Sequence, residues 1–436
     1  MSASARSCEK RPRAHPARHG RHEYVAELTL RTIHDDDDFV AFDKALHSVF
    51  LKEPRHDETE LSRKVTDLDR MFGFHDGTRW ATTAGDYRKK VILPGGALVP
   101  VAAVTAVTVS PGHRRRGLLT RMMRHQLDEI RARGTESLAM LFASETAIYG
   151  RFGYGLASQN AVLSGQVRDL GFRPDVDLGD GIVSETDAPT LLTHGPVIFD
   201  RAIIGLPGRM DRPRPWWDHR IHDNDERRRD TGGIRFALHQ EPDGTPSGFA
   251  VYRAKPDWSA TGPNGTLHVE EVRATNPRAY ARVWRFLLEL DLVRGIKYDG
   301  AAVDEPLRYL PADQRALQCG VVDGIFVRLV DVDRALTLRR YAAPVDIVLD
   351  VRDEFCPWNT GRYRLRGGRD GAECERTDAP ADIVISARDL GAIYLGGTSV
   401  SQLTAAGLVD ELTPGSALRA AVAFGWPVAP AIPDHF

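Results

Sequence analysis

Little in this 436-residue chain suits it to cross-linking, metal clustering or a bilayer. Its four cysteines, Cys8, Cys319, Cys356 and Cys374, lie far apart and form no Cys-x-x-Cys or Cys/His cluster. That spacing excludes a disulfide framework and a zinc-binding pattern, so no metal is expected and a reducing, cytoplasmic setting is. No apolar run approaches the roughly 18 residues that a membrane span needs. Charge of one sign is also missing: 58 Lys and Arg oppose 60 Asp and Glu, a formal net charge of −2, which gives no electrostatic reason to expect a nucleic-acid partner. What remains, 42% hydrophobic and 27% charged residues, is the balance of a folded globular protein. Residues 1–22 are rich in Arg, His and Ser but lack the apolar stretch of a secretory signal, and read as a disordered basic extension. Nothing there would hold His15, His19 and His22 around a metal.

The length calls for more than one core, and the pattern divides into three units. In residues 23–165, a strand over Tyr24 to Ile33 is followed by a helix over Asp35 to Phe50 with an acidic first turn. Trp80 to Tyr87, the Pro94-Gly95-Gly96 turn and Ala97 to Val109 read as strand, turn, strand. Leu118, Leu119, Met122, Met123, Leu127 and Ile130 then recur at helical spacing up to Gly134, a C-cap candidate. Ser137 to Ala143 reads as a strand, and Ser144 as the cap of a short helix ending by Gly153. Residues 166–334 repeat this order weakly, with Trp216 and Trp217 on a helix-like stretch and a strand over Thr266 to Ala274 leading into a helix from Pro277. Residues 335–436 change pattern to alternating strands and short helices. The expected fold class is α/β plus α+β, with mixed central sheets in the first two units.

The richest chemistry lies between the strand ending at Val107, Thr108 and Val109 and the helix opening with Leu118, Leu119 and Thr120. His113, Arg114, Arg115, Arg116 and Gly117 fill the join. Unpaired N–H groups and a partial positive charge at a helix N-terminus suit a pyrophosphate, a glycine allows close backbone approach, and the arginines add charge-assisted hydrogen bonds. The second unit has no such loop between its corresponding strand and helix. The segment resembles the acyl-CoA loop of the GNAT superfamily, R/Q-x-x-G-x-A/G, with Leu119 standing where a small residue is common.

The second constellation is Ser144-Glu145-Thr146-Ala147-Ile148-Tyr149-Gly150-Arg151-Phe152-Gly153-Tyr154. Transfer of an acetyl group from a thioester expels a thiolate, and a hydroxyl held at the sulfur can protonate it. The segment is similar to the GNAT motif A-x-Y-x-x-x-G-F/Y, which implies Tyr149 as the general acid. No glutamate base for the attacking amine is evident.

Together, the HRRRGLL loop, SETAIYGRFGYG, the degenerate second unit and the C-terminal segment around Ala381-Asp382-Ile383 and Leu390 to Gly397 resemble the Eis (enhanced intracellular survival) N-acetyltransferase family. The resemblance covers residues 23 to 436. It implies two GNAT-like domains, the second degenerate, and a C-terminal sterol-carrier-protein-like domain. It implies acetyl-CoA as co-substrate, contacted by Val107, Thr108, Val109, Arg115, Arg116, Gly117, Leu118, Leu119, Thr120, Ser144 and Glu145. It also implies that the terminal carboxylate of Phe436 acts as base, that a homohexamer forms, and that amines of polyamine-like substrates, including aminoglycosides and lysine side chains, enter a broad acidic pocket. Asp35 to Asp38 and Trp216 or Trp217 are candidates for its wall. A lipid-binding or scaffold protein with relic GNAT domains is the alternative, and the intact loop and Tyr149 speak against it.

Overall fold

The computed structural model describes residues 27–436. The extension 1–22, with its histidines and Cys8, and the first residues of the strand expected from Tyr24 lie outside the described residues. Among those described, no helix is long and apolar enough to cross a membrane.

Three sheets organise the chain. The first has the spatial order Thr29–Thr32, Met71–His75, Thr82–Ile92, Leu98–Val109, Leu138–Phe142, Ile325–Leu329, Gly155–Leu156. The second runs Leu317–Asp323, Gln159–Gln166, Val293–Ala302, Gly265–Ala274, Pro246–Lys255, Arg235–Gln240, Ile182–Thr186. The third, five-stranded, runs Ala372–Arg376, Gly361–Gly367, Val345–Arg352, Ile383–Ser386, Val409–Glu411.

The first two sheets exchange strands across the division expected at residue 165. Gln159–Gln166, assigned by sequence to the first unit, pairs with Val293–Ala302 and Leu317–Asp323 in the second sheet. Ile325–Leu329 comes from the second unit, yet pairs antiparallel with Leu138–Phe142 in the first sheet, Ile325 opposite Phe142 and Leu329 opposite Leu138. All five of its residues are buried. Four of the five are apolar and the fifth, Arg328, is buried through its pairing with Asp353, so the strand shows no apolar/polar alternation that would say which sheet takes it.

Four helices frame the region of interest: α1 (Asp36–Val49), α2 (His56–Val65), α3 (Leu118–Arg133) and α4 (Thr146–Tyr149). In α1, Asp35 caps the first turn by accepting from the Asp38 N–H at 2.9 Å, and Phe39 and Phe42 turn inward beside Trp80. Helix α2 escaped the sequence reading because none of its residues is buried, so it carries no apolar stripe. Helix α3 buries Leu118, Met122, Met123, Leu127 and Ile130, and ends at Gly134 with φ 65°. Leu127 is fully buried, so Leu127→Ala would cost about 2–5 kcal/mol through the lost transfer energy and the cavity left behind. The apolar core under the first sheet continues without a break into the third, joining Leu138, Met140 and Val327 to Ile347, Ile385, Leu390 and Phe424.

Candidate active site

Strands Leu98–Val109 and Leu138–Phe142 start out parallel and then part. Their register holds only at Ala102 opposite Ala139 and Ala103 opposite Met140. The cause lies on the other edge of Leu98–Val109, where the pairing with Thr82–Ile92 jumps from Thr83 opposite Thr108 to Gly85 opposite Thr105. That inserts an extra residue at Ala106, which takes a left-handed φ of 55°. The buried Thr83 hydroxyl donates to the Ala106 carbonyl at 2.6 Å and lies 2.6 Å from the Thr108 hydroxyl, holding the bulge in place. From Val104 onward the strand therefore has no ladder partner on the side facing Leu138–Phe142. A cavity of about 330 Å³ opens there, bounded by Val104, Thr105, Ala106 and Val107 on one side and Leu141, Phe142, Ser144 and Tyr149 on the other.

The loop beyond Val109 carries the expected features of an anion cradle. Its Ser110 N–H donates to the Ala81 carbonyl at 3.0 Å, and the Ser110 hydroxyl and His113 Nδ1 are 2.8 Å apart. Arg115 and Gly117 are both left-handed, at φ 61° and 74°. Gly117 is the N-cap of α3 and no side chain caps that end, so the first N–H groups of the helix, those of Leu118, Leu119 and Thr120, stay available. Space is not what demands glycine here, since a Cβ at Gly117 would meet nothing within 4 Å; the backbone angle is. Arg114, Arg115 and Arg116 are exposed. The corresponding strand and helix of the second sheet, Gly265–Ala274 and Pro277–Leu288, are built oppositely. There the Asn276 side chain accepts from the Ala279 N–H at 2.9 Å and Pro277 occupies the first turn, so the helix end is closed by its own chain.

Tyr149 ends α4 and is 5% exposed, its ring 6.1 Å from that of Tyr154. Burial, with the Glu145 carboxylate as a second cause, pushes its phenol up to about 12. The hydroxyl thus stays protonated and is a standing hydrogen-bond donor at neutral pH. Ser144 lines the smaller cavity rather than capping α4, whose N-cap is Glu145 with no side-chain bond. The expected cap fails because α4 is a single turn that runs straight into a 3-10 turn over Gly150–Phe152 and closes on Gly153 at φ 82°.

The chain end is threaded between the first two sheets. The Ala431 N–H donates to the Pro207 carbonyl at 3.3 Å and the Asn160 amide to the Ile432 carbonyl at 3.4 Å. Arg212, 3% exposed at its side chain, donates to Asp434 at 2.5 Å while gripping Glu271 with both nitrogens at 2.9 and 3.0 Å. The rings of His435 and Phe436 then lie 4.2 and 5.2 Å from Phe142. Phe436 borders the smaller cavity and also a larger one of about 1060 Å³.

The wall of that larger cavity departs from the acidic one that the resemblance implied. Six Asp and Glu residues share it with seven Lys and Arg residues. Many of these charges are spent on each other: Arg227 on Glu58 at 2.7 Å, Arg220 and Arg253 on Glu270 at 2.7 and 2.6 Å, Lys52 on Glu226 at 2.9 Å. Asp35 to Asp38 do not border either cavity. Their carboxylates are drawn instead to the first turn of α1 and to the arginines beside it, Asp36 to Arg63 at 2.6 Å and Asp38 to Arg31 at 2.5 Å. Trp217 is 1% exposed in the core with Phe199 and Phe249, and Trp216 packs on Tyr87 and beneath Lys89. Sequence reasoning missed Asp43, His47 and Lys52, which border the larger cavity from α1 and the turn after it. The helical spacing of Asp43 and His47 was the available signal.

Comparison with known proteins gives the family and the fold. Residues 29–157 match the acetyltransferase (GNAT) domain model, residues 208–329 a second acetyltransferase (GNAT) domain model, and residues 332–433 the sterol carrier protein domain. An uncharacterized N-acetyltransferase of Streptomyces avermitilis is 41% identical over 409 residues, covering 93% of this chain and 99% of that protein. N-acetyltransferase Eis of Mycobacterium tuberculosis is 34% identical over 327 residues, covering 73% of this chain and 76% of that protein. The crystal structure of Eis1 from Mycobacterium abscessus superposes with a TM-score of 0.79 at 29% identity, covering 94% of this chain and all of that one.

Proposed function

Because this chain belongs to the Eis-type N-acetyltransferases of the GNAT family, we propose that it transfers the acetyl group of acetyl-CoA to a primary amine where its two cavities meet. The observation that carries this reading is the shared border: Phe436 lines both the cavity that ends at Tyr149 and the larger one that opens beside it. The residues present fit the co-substrate. The unpartnered edge of Val104 to Val109 offers backbone groups to the pantetheine amides. The uncapped N-terminus of α3, with Arg115 and Arg116, offers N–H groups and charge to the pyrophosphate. Ser144 borders the smaller cavity beside Tyr149, the end assigned to the thioester, whereas Glu145 lines neither cavity and stays a contact that only the family resemblance implies.

The amine nitrogen, entering from the larger cavity, attacks the acetyl carbon; the C–N bond forms, the C–S bond breaks, and the leaving sulfur receives its hydrogen bond and proton from Tyr149. The terminal carboxylate of Phe436 holds the ammonium form and relays its proton. The acceptor is a small-molecule amine or a lysine side chain. The polyamine-like preference implied by the family finds no net acidic wall here, so substrates with several cations have no general advantage.

A lipid-carrier role for the third unit has less behind it. Its interior is filled by Tyr341, Tyr363, Tyr394 and Phe424, each at most 1% exposed, and by Arg339, wholly buried against the Phe424 carbonyl at 2.7 Å and the Tyr394 carbonyl. A homohexamer is a further proposal of the family resemblance, tested by sedimentation.

The test is a coenzyme A release screen with acetyl-CoA against aminoglycosides, polyamines, lysine peptides and monoamines, using the chain ending at Phe436 and one extended by a few residues after it. Amine-dependent release by the chain ending at Phe436 and its collapse in the extended one are expected. Release that ignores the extension removes Phe436 from the reaction, and no release with any amine removes the reading.

A further inference from the structure

Five residues border both cavities: Leu46, His47, Lys52, Ala106 and Phe436. The acetyl carbon and the attacking nitrogen have to meet beside them. Only three carry an ionisable group, and Lys52 is a cation already paired with Glu226 at 2.9 Å. His47 and the carboxylate of Phe436 remain.

The two differ greatly as bases. An α-carboxyl group has a pKa of about 3.5 and an imidazole about 6.5, against about 10 for an alkylammonium. The carboxylate attracts and orients an ammonium but takes its proton roughly a thousandfold less favourably than an imidazole does.

His47 is arranged to be that imidazole. It sits in the last turn of α1, where the helix end favours a cation. Its Nδ1 lies 2.9 Å from the Asp43 carbonyl of the preceding turn, an atom that only accepts. Nδ1 therefore carries the hydrogen and the neutral ring keeps its lone pair on Nε2. The same Nδ1 is 3.3 Å from the Asp43 carboxylate, which is 4% exposed and receives the Thr59 hydroxyl of α2 at 2.6 Å. A buried carboxylate behind the ring fixes its tautomer and steadies the imidazolium once formed.

We infer that His47 is the general base of this reaction, taking the ammonium proton held at Phe436 onto its Nε2, with Asp43 as its positioning residue. The inference rests on the proposed acetyl transfer at the cavity junction. In balance, the ammonium loses one proton to His47 before attack. The C–N bond then forms as the C–S bond breaks, Tyr149 protonates the sulfur, and the second nitrogen proton leaves to restore Tyr149. The imidazolium returns its proton to water.

The charged and titratable groups around the dyad are Asp43 on its own helix, Lys52 beyond it, Glu58 on α2, Tyr87 on the adjoining strand, Glu226 and His435 across the larger cavity, Tyr149 in the smaller one, and the terminal carboxylate. Their balance, led by the Asp43 side chain, lifts His47 above the usual imidazole value. A raised pKa means that the accepting, neutral form appears only at higher pH. The acid limb of kcat/KM for an alkylamine should therefore fall above pH 6.5.

The experiment compares the full-length enzyme with His47→Gln and Asp43→Asn, using the best alkylamine of the release screen and methoxyamine, an amine already unprotonated at neutral pH. With the alkylamine, His47→Gln should lose the acid limb and about 10²- to 10³-fold in kcat at pH 7, at an unchanged acetyl-CoA KM. Asp43→Asn should move the limb to lower pH. With methoxyamine, His47→Gln should stay within a few-fold of wild type, which also shows that it is folded. Equal losses with both amines would make the role of His47 structural and overturn the inference, as would a wild-type pH profile in His47→Gln. If His47→Gln is fully active while Tyr149→Phe is not, the acetyltransferase site stands and only His47 leaves it.

Discussion

Arg212, in the stretch before the helix Arg214–Ile221 and ion-paired to Glu271 of the second sheet, also holds Asp434 at 2.5 Å, two residues before Phe436. Its other contacts, to Glu271 at 2.9 and 3.0 Å and over the rings of Phe199 and Trp217, leave the guanidinium little freedom. The end of the third unit is thereby fixed to a frame that the third unit does not provide.

Asp434→Asn should loosen this anchor while keeping side-chain volume. Truncating a charged hydrogen bond to an arginine that still keeps its other partner, Glu271, is expected to lower kcat about tenfold with the amine, through misplacement of Phe436. The KM for acetyl-CoA should stay within twofold, because the loop at Arg115 to Gly117 is untouched. Steady-state kinetics in both substrates checks the split; an equal change in the two KM values would contradict it.

Arg115→Ala with Arg116→Ala should have the reverse signature. Each change removes an exposed cation beside an uncapped helix end, so acetyl-CoA affinity should fall by roughly 10-fold or more and its salt dependence weaken. Calorimetric titration with coenzyme A at two ionic strengths measures both. Thermal stability should barely change, since neither arginine forms an ion pair among the described residues.

A structural prediction concerns the seam between the first and third units. Arg328 is 0% exposed at its side chain, Asp353 1%, and they meet at 2.6 Å behind Tyr154. Asp353→Ala strands a buried guanidinium and should cost about 3–5 kcal/mol, against much less for replacing both partners by apolar residues of similar volume. Chemical denaturation of the single and double variants would show this non-additivity.

The sequence was most legible where local chemistry and position coincided. The helix over Leu118 to Arg133, its Gly134 cap and the arginine loop before it follow from apolar spacing, one glycine and one charge run. The strand exchange of Ile325–Leu329 and Gln159–Gln166 was not legible, because a strand's own residues do not name its neighbours in a sheet. The pocket wall misled for a related reason. Asp35 to Asp38 form the most acidic run near the site, but a first helical turn consumes carboxylates locally, whereas Asp43 and His47 look like ordinary surface residues until α2 and the tail pack around them. That Phe436 reaches the cavity junction depends on Arg212, which lies 224 positions earlier in the chain and whose partner no spacing rule would suggest.

The most direct measurement is the single-turnover rate of acetyl transfer in Tyr149→Phe, a change that removes one oxygen and keeps the packing against Tyr154. With the best amine of the release screen, the rate should fall about 10²- to 10⁴-fold while coenzyme A binds as tightly as in wild type. A variant that transfers acetyl at the wild-type rate would contradict the account, returning Tyr149 to the core and leaving the cavity between the parted strands without its acid.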